Sequence, residues 1–333
     1  MARKYSHKVH LHVDNTSELG HVFEVTRARM KGALNRRPGM EKQVRVTIGY
    51  DGSDLDSQLK TADVLFGWNL DRENLSQRAP RLRWIHAHGA GVNHLMPLDW
   101  LPKGAVLTNS RGVHGQRATE YASMAIMMLN NRVPEMVTNQ RKRRWVQCYN
   151  TSLEGKRLLI IGVGHIGGDV ARWAKSVGLH VMGVRRSGRP HRYVDEMHRP
   201  GALKKLLPRA DFVLMTAPHT SDTHHLLGSR ELALMKRGSG LVNYSRADLV
   251  DYDALCKRLE RGELSAIVDV LNPEPHPRSS PLWNTPNLII TPHSSSDDEE
   301  AYTPRTLDLV FRNMERFIAG KPLLNRVSPK LQY

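Results

Sequence analysis

The chain has 333 residues, of which 40% are hydrophobic, and it carries a formal net charge of +16 at pH 7. This length is too great for one ordinary core and predicts two domains, while the absence of any run of about 18 apolar residues predicts no transmembrane helix. The two cysteines, Cys148 and Cys256, are too far apart in sequence for a disulfide framework or a paired metal site. We therefore expect a cytoplasmic protein with no metal site.

The basic residues are scattered along the chain, apart from the run RKRR at 141–144. This distribution does not favour a nucleic-acid partner, and no membrane partner is expected. The positive charge is better suited to attracting small anionic molecules.

The predicted elements alternate between short β-like runs and polar helical stretches. The first series of runs is VHLHV (9–13), VRVTI (44–48), DVLF (63–66), RWIHAH (83–88) and AVLTN (105–109). A long helix is predicted across 118–133, where methionines recur at a spacing that is usually core. The second series lies at 157–161, 180–184, 212–216, 240–244, 266–270 and 287–291, and an amphipathic helix ended by Gly320 follows. This βαβ pattern predicts an α/β protein with parallel sheets.

A glycine-rich turn opens the second series of strands. Gly162, Gly164 and Gly167 form G-x-G-x-x-G directly after the strand RLLII and before a helical stretch. Such glycines permit a tight turn, a close approach of the backbone to a pyrophosphate, and close packing of helix on strand. Together with His165 and Ile166 they are predicted to bind a dinucleotide, although a tight turn without a ligand is the alternative interpretation.

The next strand ends in a basic pair, where NAD-selective proteins carry an acidic residue for the adenosine ribose. Arg185, Arg186 and Ser187 stand at this place, and the nearest carboxylates, Asp195 and Glu196, lie beyond a loop. Planar arginine groups suit a ribose 2′-phosphate, so NADP(H) is favoured and NAD(H) remains possible. The other interpretation of the pair is a solvated basic turn.

Residues suited to carbonyl reduction follow the later strands. Arg246 comes just after one strand, and Asp269, Glu274 and His293 lie at the ends of later ones. A histidine can donate a proton, a carboxylate can hold its ring, and an arginine can bind and polarise an anionic substrate. Pro218, just after the third strand of this series, is a further candidate for cofactor binding.

Each of these residues also has an ordinary structural interpretation. Arg246 could pair with Asp248 or Asp251, Glu274 could be a solvated turn residue, and His293 could be a loop histidine with satisfied hydrogen bonds. Their joint occurrence after a dinucleotide motif favours catalysis.

These stretches resemble the D-isomer-specific 2-hydroxyacid dehydrogenase family. The matching segments are WIHAHGAGVNHL (84–95), TNSRGVH (108–114), the glycine turn, LVNYSR (241–246), VDVLNPEP (268–275), PLWNTPNLIITPH (281–293) and GKPLLN (320–325). The resemblance implies a doubly wound Rossmann-type domain inserted into a smaller flavodoxin-like substrate domain. With the strand pattern, it places the substrate domain at 1–115 plus 298–333 and the dinucleotide-binding domain at 116–297.

The resemblance also implies roles for particular residues. Arg246, Glu274 and His293 would be the catalytic trio, with Arg246 and His293 contacting the substrate, and Asp269 would contact the nicotinamide carboxamide. The substrate carboxylate would be held by the backbone around Ala90, Gly91 and Val92. The basic pair resembles that of the NADPH-linked glyoxylate and hydroxypyruvate reductases of this family.

In this family the helix corresponding to 118–133, with the arm after it, commonly forms a dimer contact, so a homodimer is expected. Trp145 in that arm could reach a partner's active site or could be an ordinary buried tryptophan.

The expected activity is NADPH-dependent reduction of a small 2-oxo acid, such as glyoxylate or hydroxypyruvate, with His293 as general acid. The alternatives are an NAD-linked D-2-hydroxyacid dehydrogenase with another substrate and a dinucleotide-sensing regulator on the same scaffold. A formate dehydrogenase is less favoured, because those relatives pair the histidine with Gln where this chain has Glu274.

Overall fold

Two parallel sheets organise residues 7–333, the part of the chain that the computed structural model describes. The strands are β1 Val9–Asn15, β2 Val44–Tyr50, β3 Val64–Gly67, β4 Trp84–Ala87, β5 Val106–Asn109, β6 Arg157–Ile161, β7 His180–Val184, β8 Glu196–His198, β9 Phe212–Met215, β10 Ser239–Asn243, β11 Leu264–Val268 and β12 Leu288–Ile290. The α-helices are α1 Arg27–Asn35, α2 Met40–Gln43, α3 Leu55–Leu59, α4 Leu75–Arg78, α5 Gly115–Asn130, α6 Val133–Arg141, α7 His165–Ser176, α8 Leu203–Leu206, α9 Ser229–Leu234, α10 Tyr252–Glu260 and α11 Tyr302–Ile318. None of the helices in this part of the chain is long and apolar enough to cross a membrane.

The chain divides into two units. One contains the residues up to Val113 and resumes at Asp297–Tyr333, and the other is His114–Ser296. The second unit is thus inserted in sequence into the first. The predicted assignment of substrate binding to the first unit and dinucleotide binding to the second stays a prediction at this point.

The first unit holds a five-stranded sheet in the order β2-β1-β3-β4-β5, with every neighbouring pair parallel. Strand β1, which lies between β2 and β3, is buried on both faces, as a helix-covered parallel sheet requires. Helix α11 turns an apolar stripe to the core, where Leu307, Val310, Phe311 and Met314 pack in one cluster with residues of β1. Burial of each such side chain contributes about 1.5–3 kcal/mol, so this packing holds the helix on the sheet. The strand order is the flavodoxin-like one.

The second unit holds a seven-stranded parallel sheet in the order β12-β11-β10-β9-β6-β7-β8. The order reverses beside β6, with β7 on one side and β9 on the other. Such a switch point opens a crevice at the carboxyl ends of the strands, and ligands of doubly wound sheets bind there. Apolar clusters cover both faces of the sheet. The predicted fold class, a Rossmann-type sheet together with a flavodoxin-like unit, is confirmed.

The helix predicted at 118–133 differs from the observed one in its bounds. Helix α5 begins at Gly115 and ends at Asn130, and Arg132 then adopts a left-handed conformation with φ of 55°. Pro134 occupies the first turn of α6, where the missing N–H costs no hydrogen bond. In a single continuous helix the same proline would lie in the interior, where it would break the helix. The predicted helix at 118–133 therefore ran past the end of α5 into the beginning of α6.

The methionines of α5 do not all lie in the core. Met124 and Met127 are each 43% exposed, while Ala125, Ile126 and Leu129 form the buried face of the helix. The prediction that the methionines lie in the core was therefore wrong for these two residues, because they lie beside the buried face of the helix and not on it.

Candidate active site

The glycine turn connects β6 to α7 at the switch point of the seven-stranded sheet. Gly162 has a φ of 109°, and a Cβ there would lie 2.3 Å from the backbone nitrogen of Ala217. A Cβ on Gly167 would lie 2.7 Å from the carbonyl oxygen of Gly162. A Cβ on Gly164 would meet no described atom within 4 Å. Gly162 and Gly167 therefore allow the turn and the packing to form, whereas Gly164 borders open space.

This open space lies at the beginning of α7. His165 and Ile166 are the first residues of that helix, His165 exposed and Ile166 half-buried. The first N–H groups of a helix have no partner within the helix and attract anions, an effect that the helix dipole strengthens. The turn therefore fits a dinucleotide pyrophosphate.

The end of β7 places the basic pair at the surface. Arg185 is half-buried, with Nε donating to the Arg189 carbonyl oxygen at 2.8 Å and Nη2 donating to that of Pro190 at 2.9 Å. These bonds fix the guanidinium and leave further N–H donors on it. Arg186 and Ser187 are exposed. The three side chains thus present donors beyond the strand, where a ribose phosphate would lie in this fold.

The two carboxylates nearest this position have other partners. Asp195 accepts hydrogen bonds from the Val181 backbone N–H at 2.8 Å and from Lys175 Nζ at 2.8 Å. Glu196 lies on β8 and pairs with Arg209 and His180, and these hydrogen bonds lower the pKa of its carboxyl to about 2. Neither carboxylate occupies the position from which an acid would read a ribose hydroxyl.

A histidine–carboxylate pair lies beyond the carboxyl ends of β11 and β12. His293 Nδ1 is 2.6 Å from Glu274 Oε2, and Glu274 Oε1 accepts a hydrogen bond from the Leu271 N–H at 2.8 Å. The side chains of His293 and Glu274 are 46% and 36% exposed. Since Nδ1 is occupied by the carboxylate, Nε2 is left to exchange a proton with a ligand.

Asp269 fixes the loop that carries His293. It is 1% exposed and follows β11 directly. Its Oδ1 accepts from Thr291 Oγ1 at 2.5 Å and from the Ser294 N–H at 3.1 Å, and its Oδ2 accepts from the Ser295 N–H at 3.0 Å. The His293 N–H donates to the Asp269 carbonyl oxygen at 2.8 Å. The loop therefore has a defined geometry on both sides of the histidine.

Arg246 follows β10 and is half-buried, with Nη1 donating to the Ser245 carbonyl oxygen at 2.6 Å. The two carboxylates proposed as structural partners have other contacts. Asp248 accepts from Asn272 at 3.1 Å, and Asp251 caps α10 by accepting from the Ala254 N–H at 2.9 Å. The order of β10, β11 and β12 in the sheet brings the elements that carry Arg246, Glu274 and His293 together at one edge.

Pro218 is exposed after β9, and its carbonyl oxygen accepts from Thr223 Oγ1 at 2.8 Å. It lies on the same edge of the sheet as the glycine turn.

Two supporting residues were missed by the sequence interpretation. His114 is buried, and its Nδ1 lies 3.3 Å from the Ser296 carbonyl oxygen. Burial, with a smaller contribution from Arg246, lowers the pKa of His114 to about 4, so the imidazole is neutral at pH 7. Tyr121 OH lies 2.7 Å from Thr291 Oγ1, which in turn donates to Asp269. The segment TNSRGVH contained a signal for His114, but no spacing rule pointed to Tyr121.

In the other unit, the loop after β4 contains the predicted carboxylate site. The backbone N–H groups of Ala90, Gly91 and Val92 form no hydrogen bond with any residue in 7–333. The Ala90 carbonyl oxygen accepts from Asn109 Nδ2 at 2.6 Å, which anchors the loop. Successive N–H groups without protein acceptors are suited to binding an anion such as a carboxylate.

Comparisons with known proteins identify the family to which the chain belongs. Residues 123–295 match the family model described as D-isomer specific 2-hydroxyacid dehydrogenase, NAD binding domain. A glyoxylate reductase from Korarchaeum cryptofilum is 30% identical over 77% of this chain and 79% of its own length. A glyoxylate/hydroxypyruvate reductase B from Pectobacterium atrosepticum is 30% identical over 82% of this chain and 88% of its own length.

A solved structure from Xanthobacter autotrophicus Py2 is also similar. It is a D-isomer specific 2-hydroxyacid dehydrogenase in complex with NADPH and MES. The TM-score is 0.83 at 25% identity, and the match covers 98% of this chain and 100% of that one.

Proposed function

Because the chain belongs to the D-isomer specific 2-hydroxyacid dehydrogenase family, we propose that it reduces a small 2-oxo acid to the D-2-hydroxy acid with NADPH. The class of reaction, NAD(P)-dependent oxidoreduction, follows from that membership. The observation that carries the proposal is the contact of 2.6 Å between His293 and Glu274 at the carboxyl edge of the sheet.

The proposed chemistry uses three side chains. The hydride is supplied by NADPH when it is bound. His293 Nε2 delivers a proton to the carbonyl oxygen, and Glu274 holds Nδ1 and compensates the charge of the protonated ring. Arg246 pairs with the substrate carboxylate and polarises the carbonyl group through its guanidinium.

The backbone N–H groups of Ala90, Gly91 and Val92 are proposed to bind the substrate carboxylate. Glyoxylate and hydroxypyruvate are the proposed substrates, in line with the names of the two reductases described above. Both are small 2-oxo acids that carry a carboxylate and a carbonyl group.

NADPH is the proposed cofactor, with NADH as the weaker alternative. The glycine turn and the N–H groups of α7 would hold the pyrophosphate, and Asp269 and Pro218 are proposed to lie near the nicotinamide end. Arg185, Arg186 and Ser187 would bind the 2′-phosphate. The proposal is supported by the engagement of the nearby carboxylates elsewhere and by the NADPH in the Xanthobacter structure.

The experiment that tests the catalytic assignment is His293→Gln. It should lower kcat by roughly 10²–10⁴-fold and leave the affinity for NADPH unchanged, because a general acid is lost and the glycine turn is untouched. The matched control is His21→Gln, since His21 also pairs with a carboxylate, Glu299 at 2.9 Å, on the surface of the first unit. A kcat for His293→Gln close to that of the control would remove His293 from the mechanism.

We also propose a homodimer that forms through α5 and the arm after α6. Trp145 in this arm is 95% exposed and Tyr149 is 79% exposed, which large aromatic side chains rarely are on a free surface. Met124 and Met127 of α5 are also exposed, at 43% each, and in the proposed dimer a second copy would cover these apolar side chains. Light scattering should give twice the chain mass of 37.8 kDa, and a monomeric mass would contradict the proposal.

A further inference from the structure

His293 has a backbone conformation that residues with a Cβ seldom adopt. Its φ is 50°, in the left-handed region. Such a conformation is unfavourable for a side chain of this size and persists only where the surrounding contacts impose it. The direction of the imidazole, and with it the contact with Glu274, therefore depends on the groups that hold the backbone of this loop.

The groups that hold this loop converge on one buried carboxylate. Asp269 accepts from the Thr291 hydroxyl before His293 and from the N–H groups of Ser294 and Ser295 after it. Within the described part of the chain no cation forms an ion pair with this carboxylate, so these donors stabilise its buried charge. Loss of order in any one of them is therefore expected to loosen the loop.

A tyrosine of α5 connects to this carboxylate through the threonine. Tyr121 is 3% exposed, and its OH lies 2.7 Å from Thr291 Oγ1. Thr291 has one hydroxyl hydrogen, which it donates to Asp269 Oδ1 at 2.5 Å, so the hydrogen between the two hydroxyl groups comes from Tyr121. Burial raises the pKa of Tyr121 to about 12, which keeps the phenol protonated at neutral pH. The hydrogen bonds thus run in one direction, from Tyr121 through Thr291 to the carboxylate, and each strengthens the next.

A second tyrosine packs against the first without joining this chain of hydrogen bonds. Tyr244 follows β10 and is 6% exposed, and its ring centroid lies 5.6 Å from that of Tyr121. Both rings belong to one apolar cluster. The Tyr244 OH is buried and forms no hydrogen bond with any residue in 7–333. The two tyrosines are therefore alike in burial and ring packing and differ in what their hydroxyl groups contact.

We propose that Tyr121 is a positioning residue for His293 and acts through Thr291 and Asp269. The Tyr121 hydroxyl fixes the orientation in which Thr291 donates to the carboxylate. The carboxylate, held in that orientation, binds the N–H groups after His293 and imposes the left-handed φ that directs the imidazole to Glu274. Without the tyrosine hydroxyl, the threonine side chain can turn away and the loop gains other conformations, in which the imidazole is out of place. This role rests on the proposed function of His293 as the general acid.

Tyr121→Phe tests the proposal, because it removes the hydroxyl group and keeps the ring. It should lower kcat with glyoxylate or hydroxypyruvate by about five- to tenfold, the effect of one hydrogen bond, and change the KM for NADPH by less than about twofold. Tyr244→Phe is the matched control and should leave both constants unchanged. Equal kcat values for the two variants, or a raised KM with kcat unchanged in Tyr121→Phe, would overturn the proposal.

Variants of Thr291 show whether the effect of Tyr121 passes through this residue. Thr291→Ser keeps a hydroxyl group and should retain kcat within about twofold, whereas Thr291→Val should lower kcat at least as much as Tyr121→Phe does. Adding Tyr121→Phe to Thr291→Val should lower kcat no further, because both substitutions interrupt the same chain of hydrogen bonds. Additive losses would mean that Tyr121 acts by another route and would contradict the proposal.

Hydrogen exchange of the loop gives a readout that does not need turnover. The N–H groups of Ser294 and Ser295 are bound to Asp269, so their exchange, followed by mass spectrometry of peptides that contain 291–296, reports opening of the loop. Exchange should be about five- to tenfold faster in Tyr121→Phe than in the wild type and unchanged in Tyr244→Phe. This difference in a protein that reduces neither acid would contradict the proposed reaction and support the positioning of the loop. Equal exchange in the two variants would overturn the positioning role.

Discussion

In the glycine turn, substitution of single glycines by alanine distinguishes a position that the fold requires from one that the cofactor requires. Gly162→Ala places a Cβ at a φ of 109° and 2.3 Å from the backbone of Ala217. Gly164→Ala places one where no described atom lies within 4 Å. The first change should therefore act on stability and the second on cofactor binding.

The expected loss of stability for Gly162→Ala follows from these two features. The unfavourable φ costs about 1–3 kcal/mol and the backbone clash about 1–3 kcal/mol, which gives roughly 2–6 kcal/mol in total. At about 2–4 °C per kcal/mol for a unit of this size, Tm should fall by roughly 4–24 °C. Gly164→Ala should change the free energy of unfolding by less than about 1 kcal/mol.

The same Gly164→Ala variant should raise the Kd for NADPH by about tenfold or more, because the methyl group occupies the space through which the pyrophosphate approaches the backbone. The assays are thermal unfolding without cofactor and fluorescence titration with NADPH. Gly201→Ala is the matched control, since a Cβ there also meets nothing within 4 Å but lies away from the turn. A Gly164→Ala variant that binds NADPH as the control does, or that is destabilised as much as Gly162→Ala, would refute this reasoning.

Two further predictions concern cofactor choice and acid stability. Arg185→Ala combined with Arg186→Ala should raise KM for NADPH by roughly 10–100-fold and KM for NADH by less than about twofold, as measured by steady-state kinetics. Equal effects on both cofactors would show that the two arginines do not bind the 2′-phosphate. Burial lowers the pKa of His86 to about 3 and that of His114 to about 4 from the ordinary value of 6.5, so the unfolded chain binds more protons and stability falls as pH decreases from 6.5 towards 4. Between these pH values, each histidine makes the free energy of unfolding fall by about 1.4 kcal/mol per pH unit. Urea unfolding between pH 7 and pH 5 should therefore show a weaker pH dependence of this free energy for His86→Gln than for the wild type. An unchanged pH dependence would contradict the prediction.

The sequence predicted the core strands well because each is a short apolar run bounded by polar residues, as at Arg157–Ile161 and His180–Val184, whose bounds are the predicted ones. The strand Glu196–His198 was missed, because a polar three-residue edge strand has no alternation of its own and is defined by its pairing with Met182–Val184. The break at Arg132 was missed for a similar reason, since apolar periodicity continues across it.

The sequence predicted which residues belong to the candidate site better than it predicted the hydrogen bonds between them. The sequence named His293 and Glu274, and the structure places their side chains in contact. It could not indicate that Asp269 binds the loop on both sides of His293, because these hydrogen bonds join segments more than 20 residues apart. The folded sheet determines which loops meet, and local spacing does not contain that information.

The proposed reaction is tested most directly by the oxidation of NADPH and of NADH, followed by absorbance, with glyoxylate and hydroxypyruvate as acceptors. We expect turnover of at least one of these acids with a clear preference for NADPH. Turnover with NADH preferred would keep the reaction but contradict the role of the arginine pair. The absence of turnover with both cofactors and both acids would contradict the proposed substrates.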